Sequence, residues 1–270
     1  MKYHTRWITV YVGVVVLLAV FTGIGLERGD TSEHADMNYE TNWEPIFASG
    51  TVYETGERIE EFDNLMRMDL GYPRIEQILD SYEDVIRRYA DRYGFDWRLI
   101  LALMNQESRF RIQAVSHRGA FGLMQIMPTT GTEVSSELGI DGVALPEDNI
   151  AGGVYYLWRM HTMFNPGNEY TQQNNDYEFD RLQLALAAYN GGPTRIRNAQ
   201  HLARYLQLDP YRWNTIRDLL PMLSSRYSSL HAYVWDEGRP PGGYFEGYQE
   251  TRNYVDRTVE YYAYYRQMFE

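Results

Sequence analysis

The sequence predicts a mainly α-helical domain, on three observations. Apolar residues recur at spacings of three and four over long stretches, helix start and stop residues flank those stretches, and alternating strand patterns with turn signals are scarce. Residues 71–270 are expected to form this domain, an ordinary size for one hydrophobic core.

Each helix has a local reason. From Tyr72 onward, Ile75, Ile78, Leu79, Tyr82, Val85, Ile86 and Tyr89 fall on one helical face. Asp96 suits the N-cap of a second helix, which turns Leu99, Ile100, Leu103 and Met104 inward and ends near Glu107. A glycine-bearing connection follows over 116–122. Further helices are expected over 130–138, 148–164, 179–189, 193–206, 211–220 and 250–269. Asn190-Gly191-Gly192-Pro193 reads as a helix stop followed by a helix that begins on proline. In the last helix Tyr254, Thr258, Tyr261 and Tyr265 are expected to share a face.

The N-terminal part reads differently. Residues 8–26 are an uncharged apolar run, preceded by Lys2 and Arg6 and followed by Glu27, Arg28 and Asp30. About 20 helical residues cross a bilayer, and positive charge before the run keeps the N-terminus cytoplasmic while the rest is exported. Residues 1–26 are therefore expected to be a membrane anchor, or a cleaved leader with Gly23-Ile24-Gly25 as its site. Residues 27–70 are acidic and lack periodic apolar residues, which reads as a solvated tether.

Composition removes several function classes. The net charge of -12, with no basic stripe, argues against a nucleic-acid partner, because phosphate binding needs clustered Lys and Arg. There is no cysteine, so disulfides, thiolate chemistry and a lipidated cysteine are excluded. The six histidines have no metal-ligand spacing, and neither metal nor cofactor is expected.

The chemistry concentrates in residues 106–130, QESRFRIQAVSHRGAFGLMQIMPTT. Glu107 stands at the end of an apolar helix, and no further acid occurs until Glu133. Burial disfavours the carboxylate and raises its pKa, which keeps the group protonated near neutral pH, as a general acid must be. By spacing alone, however, Glu107 reads first as a helix-end residue facing water. On the same basis Phe121, Met124, Met127 and Tyr189 read as core, while Gly119 and Gly122 suit tight turns or close approach of backbone to a ligand.

The run E-S-x-F, then A-x-S-x-x-G-A-x-G-L-M-Q-x-M-P-x-T, ending at Thr130, resembles the signature of the soluble-type (SLT) lytic transglycosylases, whose domain is related to goose-type lysozyme. Residues 149–157 (NIAGGVYYL) are similar to that family's second motif, 187–193 (AAYNGGP) to its third, and Tyr254-Val255 to its fourth. The resemblance covers residues 82–265. Residues 199–213, Leu219-Leu220-Pro221 and 243–255 are most similar to the membrane-bound F branch of the family. That branch carries an N-terminal domain resembling periplasmic solute-binding proteins, whose place the acidic tether is expected to take here.

The resemblance implies a lysozyme-like helical fold and cleavage of the β-1,4 bond between N-acetylmuramic acid and N-acetylglucosamine in peptidoglycan, leaving 1,6-anhydromuramoyl ends. It implies that Glu107 acts first as acid and then as base. Ser116 would bond near the acetamido group, Gly122, Met124 and Gln125 would border the sugar subsites, Tyr189 and Asn190 would orient acid and substrate, and Tyr254 would close the cleft. The implied partners are glycan strands and, through the N-terminal helix, the inner membrane on its periplasmic side. With one carboxylate in the motif, the substrate's acetamido oxygen would stabilise the cationic transition state. Glu147, Asp148, Asp176 and Glu178 are the distant acids that folding could bring into the cleft. The 24 Tyr and 6 Trp suit a glycan site, since rings can stack on sugar faces while their polar ends stay wet.

Overall fold

The computed structural model describes residues 72–167 and 177–269. Among these, every residue from Leu99 to Met104 is buried, so the helix carrying them is covered on all sides. That helix, α2 (Trp97–Ser108), follows α1 (Tyr72–Tyr93). Its start is fixed as the sequence predicts: the Asp96 carboxylate accepts the Arg98 backbone N–H at 2.9 Å, and also accepts the Tyr262 hydroxyl at 3.0 Å. Its end is equally sharp. Arg109 and Phe110 both take left-handed backbone, with φ of 52° and 59°, so the chain turns away directly after Glu107 and Ser108.

A connection with two isolated antiparallel bridges, Val115 with Phe121 and Phe121 with Ile126, leads to α3 (Pro128–Leu138) and α4 (Pro146–Met163). Helix α5 (Tyr177–Gly191) buries Leu182 and Leu184–Ala188, and after Gly192 (φ 88°) the chain enters α6 (Pro193–Tyr205) on proline. Short elements follow: α7 (Trp213–Leu219), 3₁₀ turns at Leu220–Leu223 and Ser225–Tyr227, and α8 (Ser228–Val234). The last helix, α9 (Tyr248–Met268), lies against α2 and α5. Its buried residues are Thr251, Tyr254, Val255, Thr258, Tyr262 and Tyr265. Tyr261, expected on that face, is only half-buried, and Tyr262 is buried instead, because the buried face also takes in Thr251 and Val255, which centres it nearer the direction of Tyr262 than that of Tyr261.

The mainly helical class stands, and the architecture brings α2, α5 and α9 together behind the loop 116–127. Helix α8 and the two 3₁₀ turns have no counterpart in the sequence reading, being too short for periodicity to register. Among the described residues no helix is long and apolar enough to cross a membrane. The apolar run 8–26 and the tether 27–70 lie outside the described residues.

Candidate active site

Glu107 occupies the last turn of α2, half-buried, where the helix meets α9. Its Oε1 accepts a hydrogen bond from the Tyr254 hydroxyl at 2.5 Å. Burial pushes the carboxyl up to about 8, against the Tyr254 hydrogen bond, which lowers it. No other charged side chain contributes to that balance. The group is therefore protonated at neutral pH for want of water, and one of its oxygens is already committed to a donor. Tyr254 (3% exposed) and Tyr189 are both held well above the ordinary tyrosine range, first by burial and then by the Glu107 charge. Both hydroxyls are donors throughout the working pH range.

The loop 116–127 is clamped from behind by Asn149 on α4. Its Oδ1 accepts the Met124 N–H at 2.9 Å, and its Nδ2 donates to the carbonyls of Phe121 and Val143, each at 3.1 Å. Gly122 lies against that side chain: a Cβ there would stand 2.4 Å from Asn149 Nδ2, and its φ is 82°. Met124 differs from expectation. Its side chain is fully buried and presses on Gly153 of α4, where a Cβ would meet the Met124 Cβ at 2.4 Å. Its backbone serves the site instead, the Met124 carbonyl accepting the Tyr189 hydroxyl at 2.8 Å. Gln125, at φ 47°, is braced by its own Nε2, which donates to the carbonyls of Ala114 (3.0 Å) and Gly122 (2.9 Å).

A cleft of about 450 Å³ adjoins these groups. Gln125, Tyr189 and Asn190 are in its wall, together with Tyr156, Arg195 and Thr251. Thr251 donates its hydroxyl to Asn190 Oδ1 at 2.7 Å, joining α9 to the end of α5 one turn before Tyr254. Glu107 is not in the wall. Its link to the cleft runs through Tyr189, which is in the wall and feels its charge, and through Tyr254, one turn beyond Thr251. Ser116, Gly122 and Met124 are outside the wall as well. The Ser116 hydroxyl accepts the Ala120 N–H at 3.0 Å and closes its own loop. These three expected contacts are supports of the cleft's rim in this structure: their polar atoms or backbone are engaged with neighbouring protein.

Residues 84–209 match the family model described as the transglycosylase SLT domain. Residues 84–209 therefore carry that domain. Curated relatives include membrane-bound lytic murein transglycosylase F from Desulfosudis oleivorans, 35% identical over 88% of this chain and 48% of that protein. The protein of the same name from Marinobacter nauticus is 30% identical over 82% of this chain and 42% of its own length. The chain thus spans less than half the length of these relatives. The crystal structure of an inactive mutant of lytic transglycosylase Slt from Pseudomonas aeruginosa is 28% identical, covering 69% of this chain and 24% of that one, with a TM-score of 0.48.

The SLT domain also uses residues that the sequence reading passed over. Asn149 opens the NIAGG stretch but has no chemical signature of its own; its three hydrogen bonds are tertiary. Thr251 and Arg195 appear as ordinary helix residues. Two acids, Glu246 and Glu250, stand in the cleft wall, whereas Glu147 and Asp148 lie in the first turn of α4 and Glu178 pairs with Arg181 at 3.2 Å, all outside it. Asp176 lies outside the described residues. Glu246 accepts the Ser225 N–H at 2.9 Å, which with the Ser225 hydroxyl holds its carboxyl below the ordinary range. Among the described residues, no three of His, Asp and Glu are grouped as a metal ion would require.

Proposed function

We propose that the chain is a lytic transglycosylase that cleaves the β-1,4 bond between N-acetylmuramic acid and N-acetylglucosamine in peptidoglycan and leaves 1,6-anhydromuramoyl ends. The observation that carries this reading is the Glu107 carboxyl, lifted to about 8 by burial and tied to Tyr254. A group so placed is an acid at neutral pH and a base once it has lost its proton. Support also comes from the SLT family model and from relatives named lytic murein transglycosylase.

The steps balance on one carboxyl. The Glu107 proton passes to the glycosidic oxygen as the bond from that oxygen to C1 breaks, and the muramic acid develops oxocarbenium character. The Glu107 carboxylate then takes the proton of the C6 hydroxyl, whose oxygen bonds to C1. Glu107 ends protonated, as it began, and no water is consumed. Two-carboxylate glycosidases place their acids about 5 to 5.5 Å or 6.5 to 9.5 Å apart. Glu246 and Glu250 stand in the cleft wall without shifting Glu107, and this reading assigns the cationic centre to the substrate's acetamido oxygen. In this reading Gln125, Tyr189 and Asn190 border the sugar, Tyr254 governs the Glu107 proton, and Ser116, Gly122 and Met124 hold the rim on which the acetamido group sits.

The proposal extends to place. Residues 1–26 serve as anchor or leader, 27–70 as tether and 71–270 as the catalytic domain, on the periplasmic side of the inner membrane. The charged flanks of the apolar run support this, as does the name of the relatives, membrane-bound lytic murein transglycosylase F. The deciding experiment is mass spectrometry of the muropeptides released from purified sacculi. Ends lighter by one water than reducing muramic acid are expected; reducing ends alone would mean hydrolysis and overturn the proposal.

A further inference from the structure

Three aromatic side chains outside the cleft are grouped as a plate. Tyr155 and Trp158, one turn apart on α4, stack with centroids 5.5 Å apart and planes 24° from parallel. Tyr93, at the end of α1, packs against both at 5.6 and 5.4 Å. All three are half-buried, unlike the core rings of Tyr262, Tyr265 and Phe164, which are almost wholly enclosed. Polar groups edge the plate. Arg159 Nη1 reaches Glu137 at 3.2 Å and Glu133 at 3.4 Å, and the Tyr155 hydroxyl is held above its ordinary range by burial and then by Glu137.

This edge connects the plate to the cleft. Thr130 of α3 and Tyr156 of α4 are cleft-wall residues, and Glu133 and Glu137 continue along α3 from Thr130 at steps of three and four. Tyr156 packs on Tyr189 at 5.2 Å and feels the charges of Arg159 and Glu133. Ring contacts and charge interactions together therefore link Tyr189 through Tyr156, Arg159 and the two glutamates to Tyr155, Trp158 and Tyr93.

We infer that Tyr93, Tyr155 and Trp158 form a glycan-binding platform for outer sugar units of the same strand whose scissile bond lies in the cleft. Flat rings take the C–H faces of a pyranose, and a rim of guanidinium and carboxylates takes its hydroxyls. Half-open rings beside paired charges suit a hydroxylated polymer better than an apolar partner, which would leave those charges dry and uncompensated. The inference rests on the glycan reading of the cleft and adds a second point of attachment, so its effect grows with strand length.

The test uses the full chain carrying Glu107→Gln, so that bound strands persist, with and without the pair Tyr155→Leu and Trp158→Leu. Leucine keeps apolar packing and removes the flat ring. The probes are long peptide-free glycan strands and a tetrasaccharide of alternating N-acetylglucosamine and N-acetylmuramic acid. Affinity for long strands is expected to fall about tenfold in the paired variant, while tetrasaccharide affinity stays within about twofold. Unchanged long-strand affinity, or equal losses for both probes, would overturn the platform. Product analysis of the unsubstituted enzyme tests the cleft separately: reducing ends there would sink the transglycosylase reading and leave the binding contrast standing.

Discussion

The Tyr254 hydroxyl meets Glu107 Oε1 at 2.5 Å, across a chain separation of 147 residues. This bond is the one influence that favours the Glu107 anion, set against the burial that disfavours it. It holds one carboxyl oxygen as an acceptor and leaves the other to carry the transferable proton. The acid and its partner are thus joined only when α2 and α9 pack together.

Tyr254→Phe removes that donor. The anion loses its support, so the Glu107 carboxyl titrates at higher pH than in the parent protein. A general acid works while protonated, and activity falls as pH rises through its pKa. The alkaline limb of the kcat profile should therefore move to higher pH, with kcat at its plateau reduced about tenfold or more. A limb that stays in place would show that another group sets it.

For Glu107→Gln the shape is kept and the proton is lost, with an expected cost of about 10² to 10⁴ in rate. Stability should move the other way. The folded carboxyl titrates at about 8 and its ordinary value is 4.5, so between these limits the folded state holds a proton that the unfolded state releases. The contribution of Glu107 is thus full below 4.5 and declines as pH rises through 8. The amide escapes that penalty, by about 3 kcal/mol at most at pH 7. Thermal melts of the two proteins should separate at pH 7 to 8 and converge in acid; equal melting at both would mean that Glu107 is not desolvated.

How much of this was legible in the sequence depends on whether the signal was local. The Asp96 cap and the Gly192-Pro193 restart depend on neighbouring residues, and both stand where composition put them. The apolar helix before Glu107 left two readings open, a poorly solvated acid and a helix-end residue facing water, and only the motif resemblance chose the first. Spacing alone reads Met124 as core and the resemblance puts it beside the sugar subsites; its side chain is buried, toward the helix behind the loop. Gly153 decides between the two by letting α4 approach, 29 residues downstream. Thr251, Arg195 and Asn149 were invisible for a related reason. Their hydrogen bonds and cleft positions arise only from packing between α4, α5, α6, α9 and the loop.

Asn149 is expected to matter more than its lack of catalytic chemistry suggests. Asn149→Ala unpairs the Met124 N–H and the Phe121 and Val143 carbonyls together, at a cost of about 3 kcal/mol. Gly122→Ala should be of similar severity, since it forces both a left-handed alanine and a Cβ into the same amide. Denaturant unfolding of each variant checks this. A loss under about 0.5 kcal/mol in either would mean that the loop is not clamped from α4.

Tyr189→Phe separates the proton's control from the cleft's shape. The Tyr189 hydroxyl donates to the Met124 carbonyl at 2.8 Å and makes no hydrogen bond to Glu107, so its removal leaves Glu107 with Tyr254 intact. The buried carbonyl loses its partner, at about 1 to 3 kcal/mol, and the rim around Gln125 relaxes. Rate should fall, by less than in Glu107→Gln, while the alkaline limb of the pH profile holds its position. Measured beside Tyr254→Phe, the pair makes the assignment specific: one hydroxyl moves the limb, and the other moves only the height of the curve. A displaced limb in Tyr189→Phe would instead place both tyrosines on the proton.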